Sequence, residues 1–269
     1  MELKQDTIED IIQSEETLLR SAPEKYGESF EFAMDVNALL QDCIVSAEPT
    51  HHLFVLFLSQ IRKHVLLAIF SSVRLHKTQS QMDIRQVLEA GVNAAYSIAH
   101  TDVSGFAEIN EDGILDAKQE LRSKRNKWLE ANHAAASISI KGMKTSINES
   151  TSHSNIINGM LNFTYDSEDD SFKTPFFDIE NEYHVKTDLW MVGDIAFGLM
   201  DLFYGVNLEY KVLTFTSNFL DRMKTLKAKD ISLKNKMMSD SAIRSDLTRF
   251  VAPPPNTPPE ISSTPSIPQ

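Results

Sequence analysis

The stretch His52–His76, HLFVLFLSQIRKHVLLAIFSSVRLH, is the most apolar in the chain, and its reading decides the kind of fold. Two apolar runs, Leu53–Leu58 and Val65–Phe70, are divided by Ser59, Gln60, Ile61, Arg62, Lys63 and His64. A transmembrane helix needs about 20 predominantly apolar residues, and a charged residue at its centre costs about 3 kcal/mol. Arg62 and Lys63 would occupy that centre. The expected element is therefore a central buried helix with a polar waist, in a chain that has no membrane contact.

Working outward, Met82–His100 reads as an amphipathic helix. Ile84, Val87, Leu88, Gly91, Val92, Ala95 and Ala99 lie on one side; Arg85, Glu89, Asn93, Tyr96 and His100 form a polar stripe on the other. Toward the N-terminus, Thr7 with Asp10 resembles a capping box that opens a helix over Asp6–Ser21, closed by Pro23 and Gly27. A second helix from Ser29 to Pro49 makes an antiparallel partner. Downstream, Asp102–Gly113 reads as a loop, Leu115–Asn132 as a charged helix and His133–Ile147 as another. In 150–180, aromatic stretches Leu161–Tyr165 and Phe172–Phe177 flank Asp166–Ser171, the pattern of a hairpin-like insertion. A last long helical region covers Glu182–Lys229, in which Gly193, Gly198 and Gly205 mark close contact or one break.

Turn residues agree with this. The 269 residues contain 9 Gly and 10 Pro, and seven prolines, from Pro253 to Pro268, fall in the last 17 residues. A body this poor in glycine cannot easily supply the many tight turns of a sandwich or barrel. The expectation is a mainly α fold, a multi-helix bundle of about seven helices in a single domain over 1–232. A basic linker or helix end over 233–251 and a disordered Pro-rich tail over 252–269 follow. The tail has the composition of a polyproline II ligand for a protein partner.

Charge is segregated. Net charge is −12; residues 1–50 hold 12 acidic and 3 basic side chains, and residues 222–249 hold 8 basic and 3 acidic. Such blocks pair within the chain or across a homodimer, or the basic one binds nucleic acid, RNA included. The single cysteine, Cys43, excludes an internal disulfide, and Met1–Asp10 lacks the pattern of a signal peptide. A cytoplasmic protein is expected. No nucleotide-binding glycine loop, nucleophile elbow, zinc or EF-hand signature is present, so no cofactor is expected.

Three further sets of residues carry possible chemistry. Glu180, His184 and Asp188 recur every four residues and could hold a metal at the start of a helix, although an acidic first turn favoured by the helix dipole explains them as well. Asp194 and Asp201 lie seven residues apart on one side of an apolar segment. As buried carboxylates they must face a groove or pair with Arg62, Arg74 or Arg85. Arg85 and Glu89, at i and i+4, are placed to support one another.

Arg85-x-x-Leu88-Glu89 on an alanine-rich helix, with Ser150-Thr151-Ser152-His153 later, resembles bacterial HEPN-like all-α proteins over residues 50–160. The resemblance implies a dimeric helical bundle. In some such proteins it implies a metal-independent ribonuclease of a toxin or antiviral system, whose R-x(4–6)-H element brings a cation and an imidazole to one phosphate. Here Arg125 and His133 enclose seven residues, one more than that pattern holds. On a straight helix they would lie about 80° apart, so joint action requires a kink near Asn132. Arg125 would clamp phosphate, His133 would act as base, and His153 is a second acid/base candidate. The departure from the pattern favours a non-catalytic interaction or regulatory protein of bacterial type, with the ribonuclease and nucleic-acid binding through 222–249 as alternatives.

Overall fold

The computed structural model describes residues 3–4, 6–118, 120–150, 163–166 and 171–239. It is mainly α, with seven α-helices among the described residues. These are α1 (Ile8–Asp42), α2 (His52–Val73), α3 (Lys77–Ala99), α4 (Leu121–Asn132), α5 (Ala134–Ser150), α6 (Glu182–Tyr210) and α7 (Phe219–Ser239). Seven short strands accompany them: β1 (Leu3–Lys4), β2 (Ile44–Ala47), β3 (Ala107–Ile109), β4 (Leu115–Ala117), β5 (Thr164–Asp166), β6 (Ser171–Lys173) and β7 (Leu213–Phe215). The chain divides into two units, Met1–Leu233 and Lys234–Gln269; the description below concerns the first. The Pro-rich tail lies outside the described residues.

The core is built by α1, α2, α3 and α6. Phe32, Leu39 and Leu40 of α1, Phe54, Ile61 and Ile69 of α2, Ile84, Leu88 and Ile98 of α3, and Phe203 of α6 are fully buried. Phe54 meets Phe203 edge-on with ring centroids 5.4 Å apart. The antiparallel pair α2 and α3 is tied at its turn by the Ser72 and Ser80 hydroxyls, 2.8 Å apart, with the Ser80 hydroxyl donating to the Ala68 carbonyl. Further along, His64 Nδ1 stands 2.8 Å from the buried Asp83 carboxylate.

At its N-terminus α1 has the capping box, with the Thr7 hydroxyl accepting from the Asp10 amide and the Asp10 carboxylate accepting from the Thr7 amide. The break expected after Pro23 lies at Gly27, which takes φ 46° and ψ −125° and divides 8–42 into two helical segments across a kink, with Pro23 accommodated in the first. Only glycine enters that conformation without strain. The helix expected over Leu115–Asn132 begins only at Leu121, because 107–117 forms a β3–β4 hairpin. Its turn is set by Asn110, whose side-chain carbonyl accepts from the amides of Asp112 and Ile114, and by Gly113 at φ 76°. The region expected as one helix over Glu182–Lys229 is two, α6 and α7. Lys211 at φ 55° ends α6, and the Asn207 side chain satisfies the amides of Val212 and Leu213. The chain can then run as β7, antiparallel to β2, which joins the end of α1 to the start of α7.

The insertion is a hairpin in which β5 pairs antiparallel with β6, and β1 lies parallel to β6 on its other edge. The helix α2 is buried on one face only: Leu53, Phe54, Leu58 and Ile61 point inward, while Val55 and Leu56 are about half exposed. Together with its preceding turn, α2 is long and apolar enough to cross a membrane by length and composition, as is the more deeply buried α6. The polar waist of α2 finds a partner inside the fold, where Arg62 Nε donates to the Leu40 carbonyl at 3.0 Å.

Candidate functional site

The polar stripe of α3 is half-buried. The helices α4 and α5 pack over it, and their side chains complete a charge cluster. Arg125 of α4, 6% exposed, gives one guanidinium nitrogen to Glu89 and the other terminal nitrogen to the Asn93 side-chain carbonyl. Lys144 of α5 holds the second Glu89 oxygen at 2.7 Å. Burial pushes the Glu89 carboxyl up, but the Lys144 hydrogen bond and the charges of Lys144, Arg125 and Arg122 outweigh it and hold the carboxyl below its ordinary value. Burial lowers both Arg125 and Lys144 against the pull of Glu89. The expected Arg85–Glu89 support is thus replaced. Glu89 is held by two cations from other helices, and Arg85 stands outside the cluster.

Beyond Asn93, one turn at a time, the stripe continues as an aromatic ladder. The Tyr96 and His100 rings stack at 4.0 Å, and Trp128 of α4 meets both edge-on at 5.6 and 5.9 Å. His133 lies 5.5 Å from Trp128. The chain turns at His133, which caps α4 in a non-helical conformation at φ −140°, so the interruption near Asn132 is present. Arg125, however, is turned to Glu89 and Asn93, whereas His133 lines a different feature.

That feature is a cavity of about 730 Å³ between α5 and α6, with Leu88 of α3 and Lys227 of α7 also on its wall. Small residues on opposing helices create it. From α5 come Ala134, Ala135, Ala136 and Ser139; from α6 come Gly198 and Gly205, and no atom lies within 4 Å of where a Cβ would stand on either glycine. Ile140, Met143, Ile195, Phe197, Leu199 and Leu202 make the rest of the wall apolar. Its polar groups are His133, Ser139, Asp194, Asp201 and Lys227.

Asp194 and Asp201 therefore do face a groove, and the expectation that they are buried is corrected: Asp194 is half-buried and Asp201 exposed. Arg62 and Arg74 are engaged elsewhere, with Leu40 and with Phe70 and Glu15. The cation near them is Lys227, whose Nζ donates to Asp230 at 2.8 Å and lies 5.3 Å over the Phe197 ring. Asp230, with Asp194 and Asp201 contributing, holds the Lys227 ammonium above its ordinary pKa.

The metal candidates are also corrected. Glu180 pairs with Lys25 at 2.5 Å and accepts from the Tyr26 hydroxyl at 3.1 Å, while Asp188 points inward, where Gln81 Nε2 donates to it at 3.4 Å. The His184 amide donates to the cap residue Asn181. Among the described residues, no three His, Cys, Asp or Glu side chains converge as metal ligands. His153 lies outside the described residues. The sequence reading missed Lys144 and Trp128, whose partners Glu89, Tyr96 and His100 are distant in the chain, and the pairing of Lys227 with Asp230 three residues on. It also missed the buried Asp230, which accepts from Trp190 Nε1 at 2.8 Å.

A cavity with an apolar wall and a few polar groups has the chemistry of a small-molecule binding surface. The terminal nitrogens of Arg125 are held by Glu89 and Asn93, with the Arg122 charge close by. No family model, curated protein or solved structure matches this chain.

Proposed function

We propose that the protein is a non-catalytic regulatory protein that responds to a small molecule with an apolar body, held in the cavity between α5 and α6. The observation that carries this reading is the cavity itself. Its volume of about 730 Å³ lies within the range of small-molecule sites, about 300–1,000 Å³, and its wall is apolar with a few polar groups at defined positions. Glycine and alanine on facing helices leave the space open, where larger side chains would close it.

A ribonuclease of HEPN-like type would need Arg125 to meet a phosphate. Its guanidinium is instead buried against Glu89 and Asn93. For the basic block, Arg222 pairs with Asp42 at 2.8 Å and Lys229 with Asp35 at 2.5 Å, which supports self-pairing over nucleic-acid binding.

The test is an environment-sensitive apolar dye titrated into the protein and into Gly198→Leu. Glycine costs about 1 kcal/mol in a helix interior, and the new side chain enters open space, so the variant should melt at or above the parent temperature and lose the dye. Unchanged dye binding by the folded variant would overturn the reading. Incubation with total RNA in EDTA should give no cleavage; cleavage abolished by His133→Ala would establish the ribonuclease instead.

A further inference from the structure

We infer that His64 is a phosphoryl acceptor, taking a phosphoryl group on Nε2 from a donor of the phosphoramidate class. The site lies on the antiparallel pair α2 and α3, and none of its residues lines the cavity. His64 Nδ1 stands 2.8 Å from one oxygen of the Asp83 carboxylate, and Gln79 Nε2 donates to the other at 3.1 Å. The Asp83 side chain is 4% exposed and that of His64 25%. A carboxylate only accepts, so Nδ1 carries the ring proton and Nε2 the lone pair. Nε2 has no hydrogen-bond partner among the described residues and is not a buried atom, so that lone pair meets solvent. A buried carboxylate that fixes the tautomer of a half-exposed imidazole and raises its basicity makes a nucleophile of the other nitrogen.

The surroundings suit an oxyanion. The helix α2 carries no Asp or Glu, and α3 carries only Asp83 and Glu89, the second already held by Arg125 and Lys144. Lys63, the sequence neighbour of His64, is exposed. Ser80 bonds Ala68 and Asp83 faces His64, a register that puts Gln60 beside Gln86. Gln60, Gln79 and Gln86 are exposed and each stands one helical turn from His64 or Asp83. Three amides and one ammonium thus supply donors for phosphoryl oxygens. In the transfer, the Nε2 lone pair attacks phosphorus, the new N–P bond forms, and the P–N bond of the donor breaks. The protonated donor nitrogen leaves as a neutral amine, and the ring becomes a phosphoimidazolium. Its Nδ1 proton stays in place, and the Asp83 carboxylate offsets the positive charge that develops on the ring.

The experiment is a time course of the full chain with potassium phosphoramidate, read by peptide mapping at alkaline pH, where phosphohistidine survives. His52, an exposed histidine of the same helix, is the internal reference. Exposure alone would make His52 react first; His64 should instead react about tenfold faster, and phosphorus NMR should show its Nε2 isomer. Lys63→Ala, a change on the surface, should slow labelling of His64 about two- to five-fold. Asp83→Asn, its fold checked by circular dichroism, should bring His64 down toward the rate of His52 and leave His52 unchanged. A parent His64 rate at or below that of His52, or a product at Nδ1, would overturn the assignment. So would a folded Asp83→Asn that keeps the parent ratio, or a Lys63→Ala that labels as fast as the parent. If Asp83→Asn does not fold, the parent ratio and Lys63→Ala decide.

Discussion

Gly193 of α6 lies directly under the ring of Phe32 of α1: a Cβ placed on Gly193 would stand 2.6 Å from Phe32 Cε1 and 2.9 Å from Cδ1. Phe32 is fully buried, so its ring cannot move aside without disturbing the core. Gly193→Ala gains helix propensity but overpacks this crossing, and we expect a net loss of about 1–2 kcal/mol. In Phe32→Leu the contact is relieved, so adding Gly193→Ala to that background should cost less than it does in the parent. Urea unfolding of the four proteins checks this; additive losses would place the strain elsewhere.

Asp188 titrates out of its usual range. It is 8% exposed, and burial together with Asp178, against Lys77, pushes its carboxyl from about 3.8 to about 6. The folded state therefore holds a proton that the unfolded chain releases, and stability falls as pH rises from about 4 to about 6. Above that window the penalty is on the order of 3 kcal/mol. Asp188→Asn should flatten this part of the pH profile and be more stable than the parent at pH 7. Denaturant midpoints across the window measure it, and an unchanged slope would show that Asp188 is not the group responsible.

Removing the carboxylate from the α3–α4–α5 cluster leaves two buried cations facing each other. Glu89→Gln should cost about 2–3 kcal/mol, below the full figure for a buried pair because the Glu89 side chain is 24% exposed. Replacing Glu89, Arg125 and Lys144 together by Leu, Met and Met should recover much of that loss. A triple variant no more stable than Glu89→Gln would mean that the charges themselves orient the helices.

Cys43 caps α1 at zero exposure, and burial pushes its thiol up to about 11. At pH 7.5 the thiolate is scarce and enclosed. Reaction with a thiol reagent should follow global unfolding and should be suppressed by any ligand that stabilises the fold; rapid labelling of the native protein would contradict the burial.

The α-helical architecture was readable where a face repeats. Ile8, Ile11, Ile12, Leu18 and Leu19 behind Thr7 and Asp10 announce the start of α1, and the i+4 succession Glu89, Asn93, is a real face of α3. Its partners were not readable, because Arg125 and Lys144 reach it from 36 and 55 residues away in the chain. Asp194 and Asp201 were recognisable as anomalies in an apolar helix, but period alone takes such a face as buried and cannot show that Gly198 and Ala135 leave a space between two helices. Three-residue strands such as β7 depend on tertiary pairing with β2, so the local run Leu213–Phe215 passes for the continuation of a helix. The break at Gly27 and the turn at Asn110–Gly113 carry local signals, a glycine each.

Among the described side chains of α5, only Ile147 is buried. The outer wall of the cavity is thus a helix that the core hardly grips, anchored through Lys144 on Glu89 and through its junction with α4 at His133. Amides in such a helix open at low free energy, ahead of those in α2, α3 and α6. A molecule that fills the space beneath α5 touches it along several turns, so occupancy is converted into helix order, and the event a partner could read from outside is the stiffening of α5.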